Sequence, residues 1–273
     1  MTENKFNIKD TILAVDINEA TQAVKENRFK DAIKLLEINL IEHPDHIDSL
    51  YLAGVCSRYL KEFDDAIKYI ESLLVHAPDM GRAYQELAHI NRDMGNEEKS
   101  ISNYRQACEL NPALISSWMS LYEYFKKNNN KPALDHATEQ INKLKSLPNM
   151  LLYIDQVMNE GRLGVAELKC REFLKKNPTH TYAMSQLSEI ANRLGHFDDA
   201  ELLLEKAVQF NPDDGELRMK YALVLRKKQK FAKTMEQVNI LCDKYPDNLA
   251  YQAQKASEIM QYGQHEDAID LFD

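Results

Sequence analysis

The chain has 273 residues, 44% of them apolar and 28% charged, the balance of a folded soluble protein long enough for two globular domains or one repetitive array. Its 34 basic residues against 43 acidic ones give a net charge of −9, which argues against nucleic-acid binding over the whole surface, and 8 glycines with 8 prolines are too few for a turn-rich β protein. The N-terminal MTENKFNIKD lacks the apolar core of a signal peptide, and no apolar run approaches the ~18 residues of a membrane span.

Six prolines set a period. Pro44, Pro78 and Pro112 stand 34 residues apart, as do Pro178, Pro212 and Pro246, with 66 residues from Pro112 to Pro178. A fixed period of this length marks an array of helical repeats. With the proline at position 32, repeats begin at Leu13, Ile47, Gly81, Ile115, Leu147, Thr181, Gly215 and Leu249. Position 8 is small in Ala20, Gly54, Ala88, Ser188, Ala222 and Ala256, and position 20 in Ala32, Ala66, Ser100, Ala166, Ala200, Thr234 and Ala268. Position 24 is large in Leu36, Ile70, Tyr104, Leu204, Val238 and Phe272, and position 15 is glycine in Gly95, Gly161, Gly195 and Gly263.

Over residues 13–273 this pattern resembles the tetratricopeptide repeat (TPR), most fully at Tyr84, Leu87, Ala88, Gly95, Ser100, Tyr104, Ala107 and Pro112. The resemblance implies an all-α fold, a right-handed superhelical solenoid of about seven and a half repeats. Each full repeat would hold a helix A over the first ~14 positions and an antiparallel helix B over the next ~14. Small residues let the two helices approach, glycine ends helix A in the left-handed conformation, and proline stops helix B. Asp45, Asp79, Asp213 and Asp247 follow prolines and are expected to cap the next helix A. Asp64–Asp65 and Asp198–Asp199 open helix B, where the helix dipole favours negative charge.

In chain order, residues 1–12 form a polar lead-in to the array. In repeats two to four, the positions that the family turns into its concave face (2, 5, 9 and 12) read Asp48, Tyr51, Val55, Arg58, then Arg82, Gln85, His89, Arg92, then Ser116, Met119, Glu123, Lys126. The resemblance thus implies a peptide-binding face of Tyr51, Arg58, Arg82, Gln85, His89, Arg92, Met119 and Lys126. Its basic side chains suit an extended protein segment with acidic groups or a free carboxylate; the alternative is a solvated charged face. Tyr51, Tyr84, Trp118 and Tyr122 stand where the family places large packing residues, and Tyr51 also fits the groove. No repeat pairs Lys at position 5 with Asn at position 9, as a chaperone-type carboxylate clamp requires. Position 6 reads Asn18, Leu52, Glu86, Ser120, Leu152, Gln186, Lys220 and Gln254, so the asparagine ladder of the O-GlcNAc transferase array is absent. Repeat four, residues 115–146, has 32 residues, its small residue Ala133 comes one step early, and a polar run extends from Lys126 to Pro132. It is either a degenerate repeat of unchanged rigidity or a change of superhelix pitch with a hinge.

Residues 161–273 resemble a narrower group. GRLGVAELKCR from Gly161, ANRLGHFDDAE from Ala191, YALVLR from Tyr221 and YPDNLAY from Tyr245, with Ala268, are similar to the repeat region of bacterial TPR-containing sulfotransferases. That resemblance implies a C-terminal domain beyond Asp273 that transfers sulfate from 3′-phosphoadenylyl sulfate to substrates presented by the array. The alternative is a free-standing scaffold that joins proteins. The eighth repeat stops inside helix B without a polar cap, so the natural protein is expected to continue. Apolar surface around Ile259, Ile269, Leu271 and Phe272 is expected either to self-associate end to end or to be poorly ordered after Tyr262.

No phosphate-binding glycine loop and no G-x-S-x-G elbow occurs, so catalytic, cofactor and metal sites are not expected within these residues. His43 and His46, beside Asp45 and Asp48, read as solvated loop residues. Cys56, Cys108, Cys170 and Cys242 are widely spaced and read as isolated buried thiols in a reducing, cytoplasmic compartment.

Overall fold

The computed structural model describes residues 8–261, with side chains from Ile17 onward. The chain divides into two compact units, Met1–Leu147 and Pro148–Asp273. All regular structure among the described residues is helical, in fifteen helices. Unit 1 holds α1 (Ile8–Lys25), α2 (Phe29–Glu42), α3 (Ile47–Tyr59), α4 (Phe63–His76), α5 (Gly81–Asp93), α6 (Glu97–Leu110), α7 (Ile115–Lys127) and α8 (Lys131–Lys145). Unit 2 holds α9 (Asn149–Asn159), α10 (Leu163–Lys176), α11 (Thr181–Arg193), α12 (Phe197–Phe210), α13 (Gly215–Lys227), α14 (Phe231–Lys244) and α15 (Leu249–Gln261). Odd-numbered helices are the A helices and even-numbered ones the B helices. None of the described helices is long and apolar enough to cross a membrane.

Each A helix from α1 to α13 meets its B helix through a three-residue turn with one residue in the left-handed region. Gly95, Gly161 and Gly195 adopt it at φ of 82°, 76° and 79°, where a side chain would be strained. Asn27, Lys61, Asn129 and Gln229 take the same place at φ of 58°, 64°, 52° and 56°, so the geometry is general and glycine is only its easiest occupant. One hydrogen bond recurs in these turns: the amide after the left-handed residue reaches back five residues, as Glu62 N to Ser57 O at 2.9 Å and Lys230 N to Leu225 O at 2.9 Å. This closure satisfies carbonyls left open at the end of helix A.

Small residues sit where A and B helices cross. Ala32, Ala66, Ala166 and Ala200 are fully buried in B helices, as are Ala88, Ala222 and Ala256 in A helices. At Gly54 an added Cβ would lie 2.5 Å from Ile70 Cδ1, so any side chain there would force Ile70 to shift. Ser100, in place of alanine, donates to Ala88 O at 2.9 Å and so keeps its hydroxyl satisfied in the core. Leu36, Ile70, Tyr104, Leu204 and Val238 fill the space beside these crossings, all at most 1% exposed. Burying such a side chain contributes roughly 1.5–3 kcal/mol. The four thiols are buried and unbridged, and burial pushes those of Cys56, Cys108 and Cys170 up to about 12.

Several expectations are corrected. Helix-A caps fall one residue after the expected aspartates. His46 N bonds His43 O at 3.1 Å and Asp214 N bonds Asn211 O at 3.3 Å, which makes Asp45 and Asp213 turn residues. The caps are then His46, His180 and Asp214, whose side chains accept from Ser49 N, Ala183 N and Leu217 N. Capping gives His46 a structural role, and no group of three or more His, Cys, Asp or Glu among the described residues is placed to hold a metal. The missing two residues are taken from α9, which begins at Asn149 and has 11 residues where the A helices from α3 onward otherwise have 13. Pro148 explains this, because the residue before a proline is disfavoured in the helical region, so Leu147 stays in the connection. In α8 the fully buried small residue is Ala137, while Ala133 is half-buried. Pro132 lies in the first turn and Asn130 caps Ala133 N, which keeps Ala133 at the helix entrance. Ile259 is buried. Gly263, Ala268, Ile269, Leu271 and Phe272 lie outside the described residues.

Candidate protein-binding faces

The A helices carry the side chains singled out in the sequence, and the structure gives them unequal surroundings. Tyr51 is half-buried and packs on the unit 1 core, with the Arg82 guanidinium 4.7 Å above its ring. Gln85 Oε1 accepts from Ser116 and Ser117 hydroxyls at 2.8 and 2.9 Å, which ties α5 to α7. Met119 is 47% exposed, and Lys126 lies 5.9 Å from the centre of the Tyr122 ring.

The other three predicted residues are engaged by their neighbours. The Arg58 side chain is only 11% exposed and pairs with Glu86 and, at 3.3 Å, with Asp93, while its guanidinium covers the Tyr59 ring at 4.4 Å. Burial pushes the Glu86 carboxyl above its ordinary value, against the pull of Arg58. Arg92 pairs with Asp93 at 3.0 Å and approaches the Tyr104 hydroxyl at 3.3 Å. His89 Nδ1 lies 2.7 Å from the same hydroxyl. The Tyr104 hydroxyl, which accepts from Arg92, can donate to Nδ1 of a neutral His89. Burial, with Arg58 and Arg92 nearby, lowers His89 to about 4. Glu86 and Asp93 are the residues that position counting missed. Glu86 entered the sequence reading only as a non-asparagine at position 6.

Each unit has a cavity on this side. In unit 1 a space of about 610 Å³ is lined by Arg92, Tyr104, Ser120, Glu123 and Lys127, with Glu97 beside it. Its charges balance, and Lys127 pairs with Glu97 at 2.8 Å. In unit 2 a space of about 550 Å³ opens between α11 and α13. Ser185, Glu189 and Asn192 form one wall and Lys220, Arg226 and Lys227 the other. Glu189 is taken by Arg193 at 2.9 Å, and Arg226 lies 3.4 Å from the fully buried Glu258. Lys220 donates to Ser185 Oγ at 3.0 Å and Lys227 to Asn192 Oδ1 at 2.9 Å, both partners standing 35 residues earlier. The sequence reading met Lys220 only as a break in an asparagine ladder. Lys227 occupies position 13, outside the set that was counted.

Antiparallel helix pairs at a fixed spacing, with polar and aromatic side chains presented by every other helix, define a helical-repeat array. Models of the Tetratricopeptide repeat family match residues 17–80, 81–114 and 186–248, more than half of the chain, and the chain belongs to that family. It is 22% identical over 236 residues to a DnaJ homolog subfamily C member 7 homolog of Dictyostelium discoideum, a match covering 84% of this chain and 39% of that relative. Among solved structures it is similar to Naa15/Naa10 bound to HypK-THB, with 16% identity, a TM-score of 0.44 and coverage of 90% of this chain and 39% of that one. It is also similar to a thermophilic TPR protein of Thermus thermophilus, with 16% identity, a TM-score of 0.35 and coverage of 91% and 99%. The chain thus spans well under half the length of the curated relative it matches.

Proposed function

We propose that this chain is a protein-interaction module whose A-helix faces hold extended protein segments. The observation that carries this reading is the fate of the A-helix side chains. Tyr51, Arg82, Gln85, Met119 and Lys126 stay half-buried or exposed on the A helices α3, α5 and α7, while the small and large core positions are consumed by packing. Such a surface offers aromatic and aliphatic contact with hydrogen-bonding groups beside it, the mixture that recognises an extended chain. Arg58 and His89 support the face from within, and Arg92 stays exposed beside Asp93. Selection from a peptide-display library tests the reading. Binders should be lost on Met119→Arg and weakened on Tyr51→Ala, yet retained on Ile41→Arg, at a residue 81% exposed on helix B. Loss on Ile41→Arg with retention on Met119→Arg moves the site to the outer face.

The finer reading is that the module presents substrates to a sulfotransferase domain using 3′-phosphoadenylyl sulfate. It rests on the resemblance of residues 161–273 alone. Reading the gene past codon 273 tests it: a phosphate-binding strand–loop–helix supports it, and a capping helix before the stop codon favours a free-standing adaptor. The widely spaced buried thiols suit a cytoplasmic setting.

A further inference from the structure

We propose that the cavity between α11 and α13 in unit 2 is an anionic subsite, which takes the side-chain carboxylates of an acidic stretch in an extended protein segment. The proposal rests on the segment-binding reading and adds the chemical class of the ligand.

The cations of this region differ in whether they have a counter-charge. Around α13 the basic residues are otherwise committed. Lys228 meets Asp198 and Glu201, Lys230 meets Glu201 at 2.6 Å, and Arg226 has Glu258 at 3.4 Å. Arg218 donates to Gln237 Oε1 at 2.6 Å and to Pro212 O at 3.0 Å. Lys220 and Lys227 instead rest on a hydroxyl and an amide oxygen, both are exposed, and both line the cavity. A carboxylate adds a Coulombic attraction for the ammonium that a hydroxyl or amide oxygen lacks, so an incoming carboxylate displaces these contacts favourably. Among the described residues, Glu189 is the only carboxylate of the lining, and Arg193 already holds it.

Spacing decides the source of the carboxylates. Lys220 and Lys227 are seven positions apart on one helix, two turns or roughly 10 Å along its axis. A single terminal carboxylate cannot reach both. An extended chain advances about 3.3 Å per residue, so acidic side chains about three residues apart span the two lysines. The buried side chains of Leu204 and Val224 and the half-exposed Leu223 give the cavity an apolar floor, which suits an aliphatic residue between the acids. In a chain of net charge −9 such a patch also selects where an acidic segment can land at all.

The test is a fluorescence-anisotropy titration of the 273-residue chain with three labelled peptides of equal length. One repeats Asp-Leu-Ser, so that its acids stand three residues apart, and has an amidated C-terminus, the second replaces Asp by Asn, and the third is the Asn peptide with a free terminal carboxylate. Each is titrated against the wild type, Lys220→Met/Lys227→Met and a charge-matched control, Lys206→Met/Lys233→Met. The acidic peptide is expected to bind the wild type and control alike and to lose about 10-fold in affinity on the Lys220/Lys227 variant, the worth of two exposed charge pairs. Equal binding of the Asn and Asp peptides to the wild type overturns the anionic subsite and leaves segment binding standing. A neutral peptide with a free terminus that binds as well as the acidic one overturns the side-chain assignment in favour of a terminal carboxylate. Equal weakening by the control variant reduces the effect to bulk charge and overturns the site. Failure of every peptide to bind brings down segment binding at this cavity as well.

Discussion

Unit 1 and unit 2 use the same repeat and the same turn, with small residues at helix crossings, yet Arg58 in unit 1 and Lys220 and Lys227 in unit 2 are held in opposite ways. Between α3 and α5, Arg58 is closed in by Glu86 and Asp93, at 11% side-chain exposure. Between α11 and α13, Lys220 and Lys227 stay exposed on uncharged oxygens. The first arrangement is a staple between repeats, and the second is a surface still able to take a partner's charge. The difference comes from residues one repeat away, so a tally of basic residues at a fixed set of positions counts Arg58 as available and never meets Lys227.

The largest expected effect tests whether Arg58 is structural. Arg58→Met leaves Glu86, 4% exposed, as a buried charge without its partner, and should destabilise unit 1 by about 3–5 kcal/mol at neutral pH. Lys220→Met in unit 2 should stay within about 0.5 kcal/mol, as surface changes do. Denaturant unfolding, with hydrogen exchange to assign the loss to a unit, measures both. The deficit of Arg58→Met should shrink in acid, because Glu86, already raised by burial, then takes up a proton. Arg58→Met/Glu86→Leu should recover most of the loss. Equal costs at Arg58 and Lys220 would erase the distinction between the two faces.

The second test is a pH profile. Unfolded histidine titrates near 6.5, whereas burial first, and then Arg58 and Arg92, lower His89 to about 4 in the fold. Between those values the unfolded chain binds a proton that the folded chain refuses. The stability carried by neutral His89 is therefore complete above about pH 6.5 and is lost as pH falls toward 4, by roughly 2–3 kcal/mol. His89→Gln keeps an acceptor for the Tyr104 hydroxyl and should flatten this slope in thermal unfolding followed across pH. Unit 2 carries Glu189 and Leu223 at the matching positions of α11 and α13, so its exchange protection should lack this dependence. An unchanged slope in His89→Gln would show that the acid sensitivity of unit 1 lies elsewhere.

Sequence reading succeeded where a residue type is forced by space or backbone. The alanines at helix crossings and the glycines in turns are such cases, because no other choice packs or turns so cheaply. It failed where several residue types satisfy one geometry. Asn27, Lys61, Asn129 and Gln229 enter the left-handed region without glycine, and the turn is held by its backbone hydrogen bonds. The start of α9 was misplaced because a repeat count fixes the total length and leaves the site of a deletion open; Pro148 decides it locally. At the candidate faces, pattern named the side chains and could not pair them. Arg58 with Glu86, and Lys227 with Asn192, are contacts across 28 and 35 residues whose reach depends on rotamers.

The smallest test asks whether the turns really are common to both units, so that the charged faces are what sets them apart. Lys61 in unit 1 and Gln229 in unit 2 hold φ of 64° and 56°, a region that costs a residue with a Cβ about 1–2 kcal/mol. Glycine relieves that strain but loses roughly 0.5–1 kcal/mol through the greater freedom of its unfolded chain. Lys61→Gly and Gln229→Gly should therefore each stabilise their unit by up to about 1 kcal/mol, read as a rise in unfolding midpoint. Asn27→Gly and Asn129→Gly should gain less, because asparagine tolerates this conformation. Gly95→Ala and Gly195→Ala should lose a comparable amount, since both positions are open to a methyl group and only the backbone objects. A gain at Lys61 with none at Gln229 would mean that the shared turn is strained in one unit alone, and the contrast between the units would then reach the backbone as well as the side chains.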